Sequence, residues 1–143
     1  MAAEKTILLV DDNVVQAAIR QTILKRAGYF VITAIDPRRA LEMLSQNNLP
    51  AEVDLVITDH VMPGMSGTKF VSELRTQFPK LPVLVVTGMQ EAGEQYLGLD
   101  VTFRVKPLPP EQLLDCVRVM LLTPQTPQIA STGNIGDIAQ IAR

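Results

Sequence analysis

An α/β fold, with helices covering both faces of a doubly wound five-stranded parallel sheet, is predicted by two features of this 143-residue sequence and one general rule of strand connection. Apolar runs too short to be free-standing helices alternate with segments of helical period, the pattern of βαβ units. Behind Pro82, the run to Val86 is continuously Val and Leu, as a strand buried on both faces requires. Right-handed crossovers between such strands then leave few topologies.

The run Ile7 to Val10 reads as the first strand. Asn13 to Ala27 follows as a helix in which Val14, Ile19, Ile23 and Leu24 can share a face, with Gly28 as its stop. Tyr29 to Ile35 is the second strand. Asp36-Pro37 starts a helix, as an N-cap with proline at the first helical position, and that helix runs to about Asn48. Val53 to Thr58 is the third strand, broken only by Asp54. A loop with Pro63, Gly64 and Gly67 leads to a helix carrying Phe70, Val71 and Leu74, the two glycines serving turn geometry. Pro82 to Val86 and Val101 to Val105 are strands four and five, joined by a short helix over about Gln90 to Leu97. Glu111 to Leu122 closes the domain with Leu113, Leu114, Val117 and Leu121 on one side. Residues 1–122 thus form one domain. Two prolines and two glycines between Thr123 and Gly136 set 123–143 apart as a flexible tail. Ile135, Ile138 and Ile141 recur there at a spacing of three, but so short a segment does not sustain a helix alone.

Composition excludes several classes of function. Hydrophobic residues at 47% and charged residues at 20% supply a core and rule out global disorder. With 15 acids against 13 bases, the formal charge of −2 offers no electrostatic case for nucleic acid. One cysteine excludes an internal disulfide framework, and the absence of tryptophan leaves stacking platforms poorly supplied. The apolar run from Ile7 stops at Asp11, too soon for a secretory or membrane segment, so the expected location is cytoplasmic.

The informative polar residues sit at strand ends. Asp11 and Asp12 end the first strand, Asp59 follows the third, Thr87 the fourth and Lys106 the fifth. All therefore lie on the carboxyl edge of a parallel sheet, where open α/β sheets place ligands. Three carboxylates together need a counter-cation, and hard oxygen donors suit Mg²⁺. Mg²⁺ with a lysine neutralises charge on a transferring phosphoryl group, which a carboxylate can accept as nucleophile. A threonine hydroxyl alongside can donate to a phosphoryl oxygen. Metal-assisted phosphoryl transfer to an aspartate is the chemistry such a cluster supports. The alternative, that each Asp merely caps the helix or turn behind it, is even odds for one Asp and poor for the set.

Over roughly residues 4–122 the chain resembles the receiver domain of two-component response regulators. The resemblance is carried by Leu8-Leu9-Val10-Asp11-Asp12, Asp54 to Asp59, Met62-Pro63-Gly64-Met65-Ser66-Gly67, Val85-Val86-Thr87-Gly88 and Val105-Lys106-Pro107. It implies a flavodoxin-like fold of strand order 2-1-3-4-5. It implies further that Asp59 is the phosphoacceptor, that Asp12 and Asp59 ligate Mg²⁺ directly with the backbone carbonyl of Val61, and that Asp11 ligates through water. Thr87 matches the switch hydroxyl, Lys106 the phosphoryl ion-pair partner in a cis Lys106-Pro107 peptide, and Phe103 the aromatic switch. Implied partners are a histidine kinase or histidine phosphotransfer protein and a downstream protein on the face of the fourth helix, fifth strand and fifth helix. A homodimer formed on phosphorylation is compatible with that face; direct nucleic-acid or membrane contact is not expected.

Val61 and Met89 stand two residues after Asp59 and Thr87, where neither side chain can hold an attacking water, so self-dephosphorylation is expected to be slow. The chain is expected to catalyse its own phosphorylation without being a turnover enzyme. His60, the only histidine, reads as a rim residue tuning partner contact. Cys116 reads as a buried small hydrophobe. A phosphorylation-independent interaction module of the same fold is the competing reading, though its signature, loss of Asp59, an acidic-pair member or Lys106, is absent. A small phosphohydrolase or flavin-binding α/β protein is disfavoured by the lack of a Walker loop and of a Thr/Ser-rich phosphate loop after the first strand, and by adjacent Asp11-Asp12 where an aspartate-based phosphatase wants a DxD arrangement.

Overall fold

The computed structural model describes residues 4–47 and 49–122. Its strands are β1 (Thr6–Val10), β2 (Phe30–Ala34), β3 (Leu55–Thr58), β4 (Val83–Thr87) and β5 (Thr102–Val105), all parallel, in the order β2-β1-β3-β4-β5. Three α-helices connect them, α1 (Val14–Arg26), α2 (Pro37–Ser45) and α3 (Gly67–Gln77), and a fourth, α4 (Pro110–Leu122), follows β5. A 3-10 helix, Gln90–Tyr96, stands between β4 and β5 where the fourth helix was expected. The tail expected over 123–143 lies outside the described residues.

Alternation along the strands makes two cores. Ile7, Leu9, Leu55, Ile57, Leu84 and Val86 face one way, onto Ala17 and Leu24 of α1 and Leu113 and Val117 of α4. Leu8, Val10, Val56, Val83 and Val85 face the other way, onto Ala40 and Leu41 of α2 and Phe70, Val71 and Leu74 of α3. Burial on both faces explains why these strands read as unbroken apolar runs.

Local chemistry sets the element boundaries. Asn13, Asp36 and Ser66 cap α1, α2 and α3 through their side-chain oxygens, which accept from Gln16 N, Arg38 N and Lys69 N. Gly28, at φ +101°, takes the left-handed conformation that ends α1. The second helix stops at Ser45, short of the expected Asn48, with Gln46 as its C-cap. β3 begins two residues later than its apolar run because the Asp54 carboxylate accepts from Thr6 N at 2.8 Å, in place of a ladder bond.

One expectation needs correction, the inward face of α1. Val14 and Ile19 of α1 are 63% and 57% exposed. The inward stripe is Ala17, Arg20 and Leu24, so Ile19 points away and Val14 lies at the edge of the first turn. The fourth helix winds as 3-10 because it buries only Ala92 and Tyr96 and lacks a side-chain N-cap. Gly93 at its middle further weakens an α-helical alternative.

Candidate functional site

The carboxyl edge of the sheet gathers the polar residues singled out in the sequence. Asp59, one residue past β3, is largely buried. Its Oδ1 accepts from the backbone N–H of His60 at 2.6 Å and, weakly, of Val61 at 3.4 Å. Its Oδ2 accepts from Lys106 Nζ at 2.8 Å, across 47 residues of sequence. Lys106 is placed by its own backbone, whose N–H donates to the Thr87 carbonyl at 2.7 Å, extending the β4–β5 pairing. Lys106-Pro107 is cis, as the resemblance implied.

Asp11 is fully buried. Asn13 N donates to its Oδ1 at 3.0 Å, and Gln16 Nε2 donates to its Oδ2 at 2.5 Å. Asp12 is exposed, and among the described residues its carboxylate has no hydrogen bond or ion pair. Because Asn13 caps α1, neither acid is spent as a helix cap. Thr87 is buried, and its Oγ1 accepts from Met89 N at 3.2 Å, turned into its own loop. Phe103 is half-buried, with its ring centroid 5.8 Å from that of Tyr96, and a Cβ at Gly93 would stand 3.4 Å from it. Val61 and Met89 are exposed beside the pocket.

These donors suit a hard cation that keeps water. Among the described residues no three acidic, histidine or cysteine side chains close into a ready cage. Mg²⁺ does not need one, since it binds through one or two carboxylates and retains several waters. Asp12 offers an uncommitted carboxylate, whereas both Asp11 oxygens already accept from protein donors and suit contact through water.

Three features escaped sequence reading. Arg20, on the inward stripe of α1, places Nη1 3.5 Å from Asp11 Oδ2. Burial lowers its pKa, while the charges of Asp11 and Asp59 oppose that shift. A basic residue in register with Ala17 and Leu24 was the available signal. His60 is buried, not a rim residue, and its Nδ1 lies 2.7 Å from the Tyr96 hydroxyl, with the rings edge to face. Gly67 is required by close approach as α3 begins, not by turn geometry. A Cβ there would stand 2.7 Å from the Asp59 carbonyl oxygen and 2.8 Å from His60 Cα, and would collide with the Tyr96 hydroxyl. Cys116 is half-buried; burial pushes its thiol pKa up, opposed by Arg104.

The family model described as "Response regulator receiver domain" matches residues 7–118. The alkaline phosphatase synthesis transcriptional regulatory protein PhoP of Bacillus subtilis is 32% identical over 120 residues, 82% of this chain and 48% of that one. Response regulator MprA of Mycolicibacterium vanbaalenii is 34% identical over 119 residues, 80% of this chain and 49% of that one. The chain thus spans about half the length of these two relatives. Among solved structures, chemotaxis response regulator CheY4 of Vibrio cholerae superposes with a TM-score of 0.71 at 32% identity, covering 82% of this chain and 99% of that one. Response regulator TrrA of Thermotoga maritima, in complex with Mg(2+)-BeF, gives 0.72 at 26% identity, covering 81% and 98%.

Proposed function

This chain belongs to the response regulator receiver family of two-component signalling, and on that premise we propose that it accepts a phosphoryl group on Asp59 and converts it into a change of protein contacts. The observation that carries the reading is the Lys106–Asp59 pair at 2.8 Å, on the sheet edge where Asp11 is buried. A carboxylate held by one ammonium and backbone N–H groups is fixed in orientation, as a nucleophile must be.

The donor is a phosphohistidine of a histidine kinase or phosphotransfer protein. An Asp59 oxygen bonds to phosphorus as the phosphorus–nitrogen bond breaks, and the departing imidazole retains the electron pair and takes up a proton. Lys106 balances charge on the phosphoryl oxygens. Asp12, Asp59 and the Val61 carbonyl would hold Mg²⁺ directly and Asp11 through water; when bound, the ion supplies further charge neutralisation to the phosphoryl oxygens. Phosphorylation replaces the single charge of the Asp59 carboxylate by roughly −1.5 to −2 on the phosphoryl oxygens, a net change of about −0.5 to −1. Thr87 then exchanges its contact with Met89 N for a phosphoryl oxygen, and Phe103 turns inward against the 3-10 helix. The surface that changes is the 3-10 helix, β5 and α4, which meets a downstream protein or a second copy. Loss of the phosphoryl group is slow, since the Val61 and Met89 side chains cannot hold an attacking water. The protein modifies itself and turns over no external substrate, working in the cytoplasm without contacting nucleic acid or membrane. The described residues include no helix long and apolar enough to cross a membrane.

The test is intact mass after incubation with a small acyl-phosphate donor. A single phosphoryl adduct that requires Mg²⁺ and disappears in Asp59→Asn is expected. No adduct in the folded wild type, with Mg²⁺ binding shown separately, would favour a phosphorylation-independent contact module.

A further inference from the structure

Arg20 is a charge in a place where an apolar side chain would pack more cheaply. It lies between Ala17 and Leu24 on the inward stripe of α1, and its side chain is 11% exposed. Burying a guanidinium is costly unless a partner compensates it. The partner is Asp11, whose carboxylate is wholly buried. Yet the Asp11 oxygens do not need Arg20 to be satisfied, since Asn13 N and Gln16 Nε2 already donate to one each. What Arg20 contributes is positive charge. The three carboxylates Asp11, Asp12 and Asp59 carry −3; Lys106 alone leaves −2, and Lys106 with Arg20 leaves −1.

We infer that Arg20 is a resident counter-cation of the acidic pocket, which holds Asp11 in the metal-free protein and weakens divalent-cation binding there. This inference rests on the metal-binding reading of the pocket proposed above. A divalent ion approaching Asp11 meets a guanidinium already paired with that carboxylate. Because Arg20 is buried, dissolved salt screens the repulsion poorly. Arg20 is accordingly a positioning residue, which acts on the metal through Asp11. It sets the divalent-ion concentration at which the pocket fills, and it keeps the acidic edge folded when the ion is scarce.

The experiment is calorimetric titration of Mg²⁺ into the full chain as wild type, Arg20→Met and Arg20→Lys, with melting curves in EDTA and in excess Mg²⁺. Arg20→Met should bind Mg²⁺ about three- to tenfold more tightly. It should also melt lower than wild type in EDTA and gain more from the ion. Arg20→Lys, which keeps the charge, should stay within about twofold of wild-type affinity. Should Arg20→Met fail to fold, Arg20→Gln carries the same comparison. A folded neutral variant with unchanged or weaker affinity overturns the inference, as does Arg20→Lys moving as far as Arg20→Met, which would make shape the determinant. Equal, measurable affinity in all variants removes the inference alone. Absence of Mg²⁺ binding in every variant removes the metal reading and the inference together.

Discussion

His60 directly follows the proposed acceptor, but its ring is turned inward onto the Tyr96 hydroxyl. The pair ties the loop after β3 to the end of the 3-10 helix, and Tyr96 in turn touches Phe103. Gly67 leaves room for this contact, because any side chain there would displace the Tyr96 hydroxyl. Burial pushes the Tyr96 phenol from 10.0 up to about 12; a hydrogen bond with Thr68 opposes the shift and the Asp59 charge adds to it. The folded protein thus keeps a proton that the unfolded chain releases from pH 10 upward. This contribution to stability is whole below pH 10 and is lost as pH rises toward 12. Tyr96→Phe should cost about 1 kcal/mol at neutral pH, through the unpaired His60 nitrogen. Above pH 10 it should lose less stability than wild type in paired urea melts; parallel pH curves would contradict this assignment. None of this was legible in the sequence. A lone histidine beside an active-site aspartate gives no sign of which way it faces, and its partner lies 36 residues away.

At the scale of elements, capping residues spoke plainly and packing registers did not. Asp36-Pro37 marked the start of α2 because the cap and its proline act within one turn. The stripe of α1 is not legible from residue type, since Val14 and Ile19 are apolar whereas the register with Ala17 and Leu24 belongs to Arg20. A second arginine holds the opposite edge of the sheet. Arg75, in the last turn of α3, donates Nε to the Leu99 carbonyl at 2.7 Å and Nη2 to that of Asp100 at 2.8 Å. Its Nη1 reaches the Phe78 and Leu81 carbonyls at 3.2 and 2.6 Å. One side chain therefore joins α3, the loop into β4 and the loop into β5. Arg75→Ala should lower unfolding free energy by about 3 kcal/mol, with four carbonyls losing a charged donor. Arg75→Lys should recover only part of it, since an ammonium lacks the planar fork. Urea denaturation measures both, and a loss below about 0.5 kcal/mol for Arg75→Ala would show that the clamp is idle.

For the molecule as a whole, fold class and site location were readable for one reason: a parallel sheet collects every strand's carboxyl end on one edge. Continuous apolar runs located the strands, so Asp11, Asp59, Thr87 and Lys106 could be placed together from spacing alone. The 3-10 character of Gln90–Tyr96 and the charge balance of the pocket were not readable, because each depends on contacts between distant segments. The receiver family accounts for the architecture, while the roles of Arg20 and the His60–Tyr96 contact are read from the geometry of this chain. Asp59 is proposed to be the residue that carries the phosphoryl group. Borohydride reduction of the phosphorylated protein, followed by peptide mass mapping, tests it most directly, because reduction converts an acyl phosphate on aspartate to homoserine. Homoserine is expected at position 59 and nowhere else. Homoserine at another aspartate, or an adduct on His60 that resists reduction, would contradict it.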